Sequence, residues 1–346
     1  MDVSAFDYEL PEAAIAQTPA EPRDRARLLV DRGPDQVPEH HTVADLPRFV
    51  RPGDVVVVNT TRVLPARLRL RKPTGGRVEV LLLERLPGGE WEALVRPSRK
   101  VPSGTELAAG DDLVVRFGGP GPGPGTRVVD LSTPGGADQL AVLHRHGVVP
   151  LPPYITVPLA DPERYQTVFA ERPGSVAAPT AGLHLTPAVL DGCRAAGAGL
   201  EVVDLVVGMG TFRPMSASKV EDHPMHAERY RVPAATMAAC EAARAVGKRV
   251  VAVGTTTVRA LESAALSGQL EGRTELFIRR PWRWRLVDVL MTNFHLPRSS
   301  LLVLVDAFVG ARWRDLYGTA LADGYRFLSF GDAMLLDRGL TGGVVP

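Results

Sequence analysis

The sequence predicts an α/β protein: a mainly parallel-sheet α/β main domain with an inserted small antiparallel β-barrel-like domain. After Tyr154, strand and helix signals alternate, as is typical of parallel strands joined by crossover helices. Short strand patterns between 62 and 149 follow one another with no helical period between them, which favours an antiparallel barrel or sandwich. The apolar run Val55–Val58 precedes that segment and has the composition of a strand covered on both faces. We therefore assign 1–61 and 150–346 to the α/β domain and 62–149 to the insertion.

Length and composition restrict the class of protein. A chain of 346 residues with 45% hydrophobic and 23% charged residues is typical of a globular protein of about two domains, which excludes a disordered or fibrous chain. No apolar run reaches the roughly 18 residues that span a bilayer. Asp2, Asp7 and Glu9 stand where a secretory signal would carry Lys or Arg, so we expect a cytoplasmic protein with no membrane partner.

One strand of the predicted insertion carries a local basic pattern. The formal net charge of +1 gives no global attraction to nucleic acid, so such binding requires a patch of this kind. Leu68 and Leu70 alternate with basic residues in a period of two, which predicts a half-exposed strand with a basic outer face. These residues form a candidate site for nucleic-acid phosphates and fit a solvated strand face equally well: Arg62, Arg67, Arg69, Arg71 and Lys72.

Three loops in the α/β part join a predicted strand to a predicted helix. They are Pro179–His184, ahead of a helix that begins at Thr186 and Pro187, Gly254–Thr257, and Thr292–Ser300. In parallel α/β sheets such loops lie at the carboxyl ends of strands, where ligands bind. We expect the three loops to meet in one pocket.

Polar side chains in these loops are candidate ligand contacts. Backbone N–H groups and hydroxyls at Gly254–Thr257 suit ribose oxygens or a carboxylate, although a simple helix cap also explains them. Asn293 and His295 belong to a loop with more polar chemistry than a connection needs, and His184 lies in the equivalent loop.

The segment from His223 to Glu228 contains two histidines and a carboxylate. Its spacing is not the i, i+4 pair of a helical metal site, and Pro224 favours a loop, so we predict hydrogen bonds to a substrate and no metal, with a purely structural role as the alternative. The segment Gly208–Phe212 follows a strand but lacks the third glycine and the helix of a dinucleotide site, so we predict no such cofactor.

Six sequence blocks occur in the order of one known family: Phe6–Pro11, Gly174–His184, His223–Glu228, Val253–Thr256, Thr292–Pro297, and Tyr325–Phe327 with Gly331–Leu335. Through these blocks the chain resembles the S-adenosylmethionine:tRNA ribosyltransferase-isomerase family of queuosine biosynthesis. The resemblance implies an α/β main domain with an inserted β-barrel-like domain, in agreement with the pattern above.

The resemblance also implies a reaction. The ribosyl moiety of S-adenosylmethionine would be transferred and isomerised onto 7-aminomethyl-7-deazaguanine at the tRNA wobble position. The products would be epoxyqueuosine, adenine and methionine. S-adenosylmethionine and tRNA carrying the deazaguanine base are thus the implied partners, with no further cofactor and no metal.

This chemistry demands proton transfer. The sulfonium acidifies the C5′ hydrogens, so a base must remove one and an acid must assist the departure of adenine. We predict His184 and His295 as the catalytic residues, because an imidazole titrates near neutral pH.

The remaining predicted site residues bind the substrate. We expect Thr255, Thr256 and Asn293 to hold the ribose and methionine portion, and Arg259 to meet the methionine carboxylate. His226 and Glu228 would bind the purine or the sugar hydroxyls. The first loop contributes two further candidates: Thr180 and Gly182.

Four positions depart from the usual family pattern. Thr60 stands where the family usually has an acid, and Val206 stands where it usually has an imidazole. Phe330 stands where the family usually has a phenol, and Arg280-Pro281 stands where it usually has Pro-Gly. Lost polar contacts change which substrate a site accepts. They motivate two alternatives: a divergent enzyme that cleaves S-adenosylmethionine with a small-molecule acceptor or none, and an inactive tRNA-binding protein.

Overall fold

A computed structural model describes residues 1–34, 36–208 and 214–338. Two compact units divide the chain. The larger contains Met1–Thr61, Pro152–Arg172 and the chain from Ala178 onward, and the smaller contains Arg62–Leu151 with Pro173–Ala177. The assignment of 1–61 with 150–346 and of 62–149 to two domains stays a prediction.

The strands of the described residues are, in chain order, β1 (Arg27–Asp31), β2 (Glu39–Thr42), β3 (Val55–Asn59), β4 (Thr61–Val63), β5 (Arg67–Arg71), β6 (Arg77–Arg85), β7 (Trp91–Arg96), β8 (Glu106–Ala109), β9 (Leu113–Pro120), β10 (Arg127–Ser132), β11 (Gly147–Val148), β12 (Arg172–Ser175), β13 (Gly199–Leu205), β14 (Glu228–Arg231), β15 (Val250–Val253), β16 (Glu271–Thr274), β17 (Val289–Asn293) and β18 (Ala333–Asp337). The α-helices are α1 (Gln139–His146), α2 (Pro187–Ala195), α3 (Ala234–Ala245), α4 (Thr255–Ser267), α5 (Ser300–Val309) and α6 (Trp313–Ala322). None of the helices in these described ranges is long and apolar enough to cross a membrane.

The larger unit is built on a nine-stranded sheet with the order β16-β14-β13-β3-β15-β17-β18-β1-β2. Among the described strands, four of its pairings are parallel and four antiparallel. The expectation of a mainly parallel sheet is therefore corrected to a mixed sheet. Its centre, β13-β3-β15-β17, is parallel as predicted, while β18 runs antiparallel to β17 and the pairs β13–β14, β14–β16 and β1–β2 are antiparallel.

The strands at the centre of this sheet are buried along their whole length. Every residue of β3, β15 and β17 is buried, which is the pattern of strands covered on both faces. One face packs against α2, which contributes Val189 and Cys193 to the core. The predicted cap of α2 is confirmed, because the Thr186 hydroxyl accepts a hydrogen bond from the backbone N–H of Val189 at 3.3 Å and Pro187 occupies the first helical position.

The smaller unit contains a seven-stranded antiparallel sheet with the order β11-β5-β6-β7-β10-β9-β8. The sheet curls so that β5 approaches β8. The period of two in β5 is confirmed: Leu68 and Leu70 are buried, while Arg69 and Arg71 on the other face are exposed. A two-stranded sheet of β4 and β12 completes the strands.

Candidate active site

The three predicted loops meet, as expected, at the carboxyl ends of β15 and β17. They line a cleft, here called the loop cleft, with Ala178–Ala181, Gly254–Thr256, Thr292, Asn293, His295 and Leu301 on its walls. The side chain of Asn59, at the end of β3, lies below the cleft and donates to the Thr256 hydroxyl at 3.2 Å. Asn59 also donates to the Leu205 carbonyl at 3.1 Å, so it joins β3, β13 and α4.

The start of α4 depends on Gly254. Its φ of +92° lies in the region that favours glycine, and its N–H donates to the Met291 carbonyl at 2.8 Å, which fixes this loop to β17. Gly254 has no side chain to cap the helix, so within the described residues the N–H groups of the first turn receive no side-chain cap, and Thr255 and Thr256 line the cleft. Oxygen atoms of a ligand are suitable partners for them.

Asn293 is the centre of the hydrogen-bond network in the loop cleft. Its amide nitrogen donates to the carbonyls of Leu328 and Asp332 at 3.2 and 3.4 Å, and to Nε2 of His184 at 3.0 Å. Its amide oxygen accepts from the Thr180 hydroxyl at 2.9 Å. The network links the first and third loops and leaves His184 buried behind Asn293, whereas Asn293 itself lines the cleft.

His295 lies directly on the cleft wall. Its Nε2 is 2.9 Å from the Thr292 hydroxyl, and its backbone N–H donates to the Tyr317 hydroxyl at 3.0 Å. Its backbone carbonyl accepts a hydrogen bond from the Tyr8 hydroxyl. Both backbone groups of His295 are therefore held by tyrosines that sequence analysis did not select. Tyr8 lies within the first family block, so the resemblance offered a signal for it, whereas Tyr317 had none.

Burial sets the protonation of both histidines. It lowers the pKa of His184 to about 4, with the nearby Arg326 and Arg23 charges acting in the same direction. It lowers the pKa of His295 to about 3. Both rings are neutral at pH 7, and His184 accepts the Asn293 hydrogen bond at its unprotonated Nε2.

A second pocket, here called the adjoining pocket, shares Thr255, Thr256 and Leu301 with the loop cleft. Glu228 and Arg259 are buried in it and form an ion pair. The Arg259 guanidinium also donates to the carbonyls of Leu276 and Thr274, at 3.1 and 3.3 Å. Glu228 accepts a further hydrogen bond from the Gly208 N–H at 2.9 Å. The sequence predicted separate ligands for Glu228 and Arg259, but not that they bind each other.

Two other predicted binding residues differ in their surroundings. His226 is exposed at the rim of the adjoining pocket. Gly182 is buried beneath the first loop, where a Cβ atom would lie 2.8 Å from the Phe169 ring and 3.0 Å from Thr167. Gly182 therefore permits close packing of the loop. Within the described residues, no group of three or more histidine, cysteine or carboxylate side chains is arranged to hold a metal ion.

The positions that depart from the family pattern have well-defined contacts. Thr60 donates to the Asp204 carboxylate at 2.7 Å, so a neighbouring strand supplies an acid beside it. Arg280 forms a bidentate pair with the buried Asp306, at 2.6 and 2.8 Å. Phe330 is buried with its ring edge-on to Tyr165. Val206 continues the pairing of β13, since its N–H donates to the Arg229 carbonyl at 2.9 Å.

The predicted basic patch lies on β4 and β5 and the turn after them. Arg62 and Arg67 are half-buried, and Lys72 donates to the Lys100 carbonyl. Arg69 lies opposite Glu79 of β6, while Arg71 lies opposite Arg77. The exposed face therefore carries more positive than negative charge at its β5–β6 edge. Of the Gly208–Phe212 segment considered for a dinucleotide, the residues from Met209 onward lie outside the described residues.

Comparison with known proteins places this cleft in a family. Residues 3–336 match the family model described as queuosine biosynthesis protein. The S-adenosylmethionine:tRNA ribosyltransferase-isomerase of Moorella thermoacetica is 51% identical over 343 residues, covering 97% of this chain and 100% of that protein. The protein of the same name from Thermus thermophilus is 52% identical, covering 96% of this chain and 99% of that protein.

A solved structure agrees with these sequence matches. The crystal structure of S-adenosylmethionine tRNA ribosyltransferase from Thermotoga maritima matches with a TM-score of 0.56 at 38% identity, covering 96% of this chain and 100% of that one. The resemblance found in the six sequence blocks is thereby confirmed. The chain belongs to the queuosine biosynthesis protein family.

Proposed function

We propose that this chain is an S-adenosylmethionine-dependent ribosyltransferase-isomerase. It transfers and isomerises the ribosyl moiety of S-adenosylmethionine onto 7-aminomethyl-7-deazaguanine at the tRNA wobble position, and it forms epoxyqueuosine while releasing adenine and methionine. One observation carries the proposal: the chain is about 50% identical, over nearly its whole length, to relatives whose name states this activity. We infer a cytoplasmic location, which is where tRNA is modified.

The loop cleft supplies the groups that the first step needs. His295 lines the cleft with an unprotonated ring, so its imidazole is placed to accept a C5′ proton from the sulfonium substrate. The burial that lowers its pKa to about 3 in the free protein makes it a weaker base than a free imidazole. His184 lies behind Asn293 and accepts a hydrogen bond from its amide. We therefore give His295 the proton transfer and His184 a positioning role, in which it orients Asn293 and, through it, Thr180.

The remaining predicted contacts follow the same geometry. Thr255, Thr256 and the uncapped N–H groups of α4 suit the hydroxyls of the ribose. The guanidinium of Arg259 already binds Glu228 and two backbone carbonyls, so its role is to hold that carboxylate rather than the carboxylate of methionine. The basic face of β5 is the proposed contact for tRNA phosphates.

The function is tested by product release. The protein is incubated with S-adenosylmethionine, with and without tRNA that carries the deazaguanine base, and adenine and methionine are measured. Release only with the modified tRNA supports the proposal. Release without any tRNA supports the small-molecule alternative, and no release with tRNA retained at low salt supports the inactive binding protein. Either of the last two results overturns the proposed reaction.

Conservative variants separate the two histidines. His295→Gln should lower the rate of adenine release by about 100-fold or more, because an amide does not transfer the proton. His184→Gln should retain most of the rate, because the Gln amide oxygen can occupy the Nε2 position and accept from Asn293. His41→Gln, outside both pockets, is the control. Equal losses in the His184 and His295 variants would contradict the division of roles.

A further inference from the structure

The adjoining pocket combines apolar walls with a small number of polar groups. Phe277, Ile278, Leu304 and Met225 line it together with the Glu228–Arg259 pair. Pockets for small organic ligands have this mixture of apolar surface with a few oriented polar groups.

His223 lines this pocket with a ring nitrogen that has no partner in the described part of the chain. Its Nδ1 is buried and has no hydrogen-bond partner among the described residues. The ring lies edge-on to Phe277, with centroids 5.8 Å apart and an interplanar angle of 72°. A buried polar atom without a partner is unfavourable in the free protein, and a ligand that reaches it removes that cost. The sequence predicted substrate hydrogen bonds for the segment from His223 to Glu228, but it did not indicate which nitrogen of His223 lacks a partner.

The charges in the pocket cancel one another. Glu228 and Arg259 neutralise each other, and each also bonds to backbone groups. Burial lowers the pKa of His223, and the neighbouring His226 lowers it further, so the ring is neutral at pH 7 and can either donate or accept a hydrogen bond. The pocket therefore suits an uncharged, planar ligand with a polar edge.

We propose that the adjoining pocket binds the adenine of S-adenosylmethionine and that Nδ1 of His223 hydrogen-bonds to the edge of that base. This assignment rests on the proposed function and names the base subsite within it. The ribose then lies at Thr255 and Thr256, which both pockets share, and its C5′ side faces His295 in the loop cleft.

The acceptor base fits this pocket less well. A deazaguanine presents adjacent ring N–H and amino donors, which a carboxylate satisfies best. The carboxylate in this pocket is Glu228, whose two oxygens already accept hydrogen bonds from Arg259 and Gly208. Adenine lacks that pair of donors, so a single imidazole nitrogen and an aromatic wall are sufficient for it.

Equilibrium binding of free adenine to the full chain, measured by calorimetry, tests the proposal. His223→Phe keeps the aromatic contact with Phe277 and removes the hydrogen bond, so affinity should fall by about 10-fold. The adenine affinity of His223→Gln should fall by a similar factor, because the Gln amide reaches the position of Nε2 rather than that of Nδ1. His223→Asn should retain most of the affinity, because its amide lies where Nδ1 was. The control is His41→Phe, at a half-buried histidine that also stacks edge-on with a phenylalanine, Phe49.

Three results would overturn the assignment. The first is an unchanged adenine affinity in His223→Phe, and the second is an equal loss of adenine affinity in the Phe, Gln and Asn variants. The third is a loss of affinity that appears only when free 7-aminomethyl-7-deazaguanine replaces adenine as the probe. Absence of adenine binding to the unsubstituted protein at millimolar concentration counts against it as well. Because binding is measured without turnover, an inactive protein that binds adenine through His223 would refute the proposed function and leave this subsite standing.

Discussion

Glu262 in the nine-stranded unit and Arg69 in the seven-stranded unit are charged side chains in opposite surroundings. Glu262 is fully buried on α4, and its oxygens accept from the backbone N–H groups of Arg285, Leu286 and Val287 at 3.0, 2.9 and 3.1 Å. Arg69 is exposed on β5. A buried charge with a full set of donors fixes the structure around it, whereas an exposed one is available to a partner and contributes little to stability. The position of each therefore indicates what its substitution should affect.

The largest expected effect is the loss of the buried carboxylate. Glu262→Ala leaves the three backbone donors and the Trp282 indole N–H, 3.2 Å away, without their acceptor. The free energy of unfolding should fall by about 3–5 kcal/mol in urea denaturation. Glu106→Ala on β8 is the matched control, since that glutamate is exposed and its ion pair with Arg116 spans 4.0 Å; it should change stability by less than about 0.5 kcal/mol. Similar losses in both variants would remove the contrast between the two regions.

The pH dependence of stability extends the comparison of buried and exposed groups to His295 in the loop cleft. The pKa of His295 is lowered to about 3 in the folded state, from an unfolded value of 6.5. Between these values the unfolded chain binds the extra proton, so the contribution of His295 to stability is complete above pH 6.5 and is lost as the pH falls below it. From pH 7 to pH 5 this loss amounts to about 2 kcal/mol.

The measurement is urea denaturation at the two pH values, with His295→Asn compared to the unsubstituted chain. The variant should lose about 2 kcal/mol less stability on acidification, because it has no ring to protonate. Thr292→Ser, which keeps the ring of His295 and its hydroxyl partner, should retain the full pH dependence. An unchanged pH dependence in His295→Asn would show that the ring is accessible to protons in the folded protein.

The smallest effect on stability is expected at the exposed strand. The double variant Arg69→Gln, Arg71→Gln should change the free energy of unfolding by less than about 0.5 kcal/mol. It should weaken tRNA binding, and the slope of log affinity against log salt concentration should fall by about one for each phosphate contact that is lost. Filter binding at several salt concentrations checks this. Arg116→Gln, an exposed arginine of β9 in the same sheet, is the control. An unchanged salt dependence would mean that β5 is only a solvated strand.

The sequence predicted those features that depend on local pattern. Alternation placed Leu68 and Leu70 inside, continuous apolar runs predicted β3 and β15, and the Thr186-Pro187 pair predicted the start of α2. The convergence of the second and third loops also followed, because β15 and β17 are parallel neighbours and their loops open at one edge of the sheet. The first loop follows β12, which pairs with β4 outside that sheet, and it joins the other two through the Thr180–Asn293 hydrogen bond. The sequence did not predict that β18 runs antiparallel to β17, because that pairing joins residues distant in the chain.

What the sequence alone determined is therefore the family, the α/β class and the residues that carry polar chemistry, since these follow from residue type, period and order. Only the tertiary structure decided which polar groups bind one another: Glu228 with Arg259, Asn293 with His184, and the backbone of His295 with Tyr8 and Tyr317. The physical reason is that burial removes water as a partner, so each polar group must find another within the fold, and that partner is set by packing rather than by position along the chain.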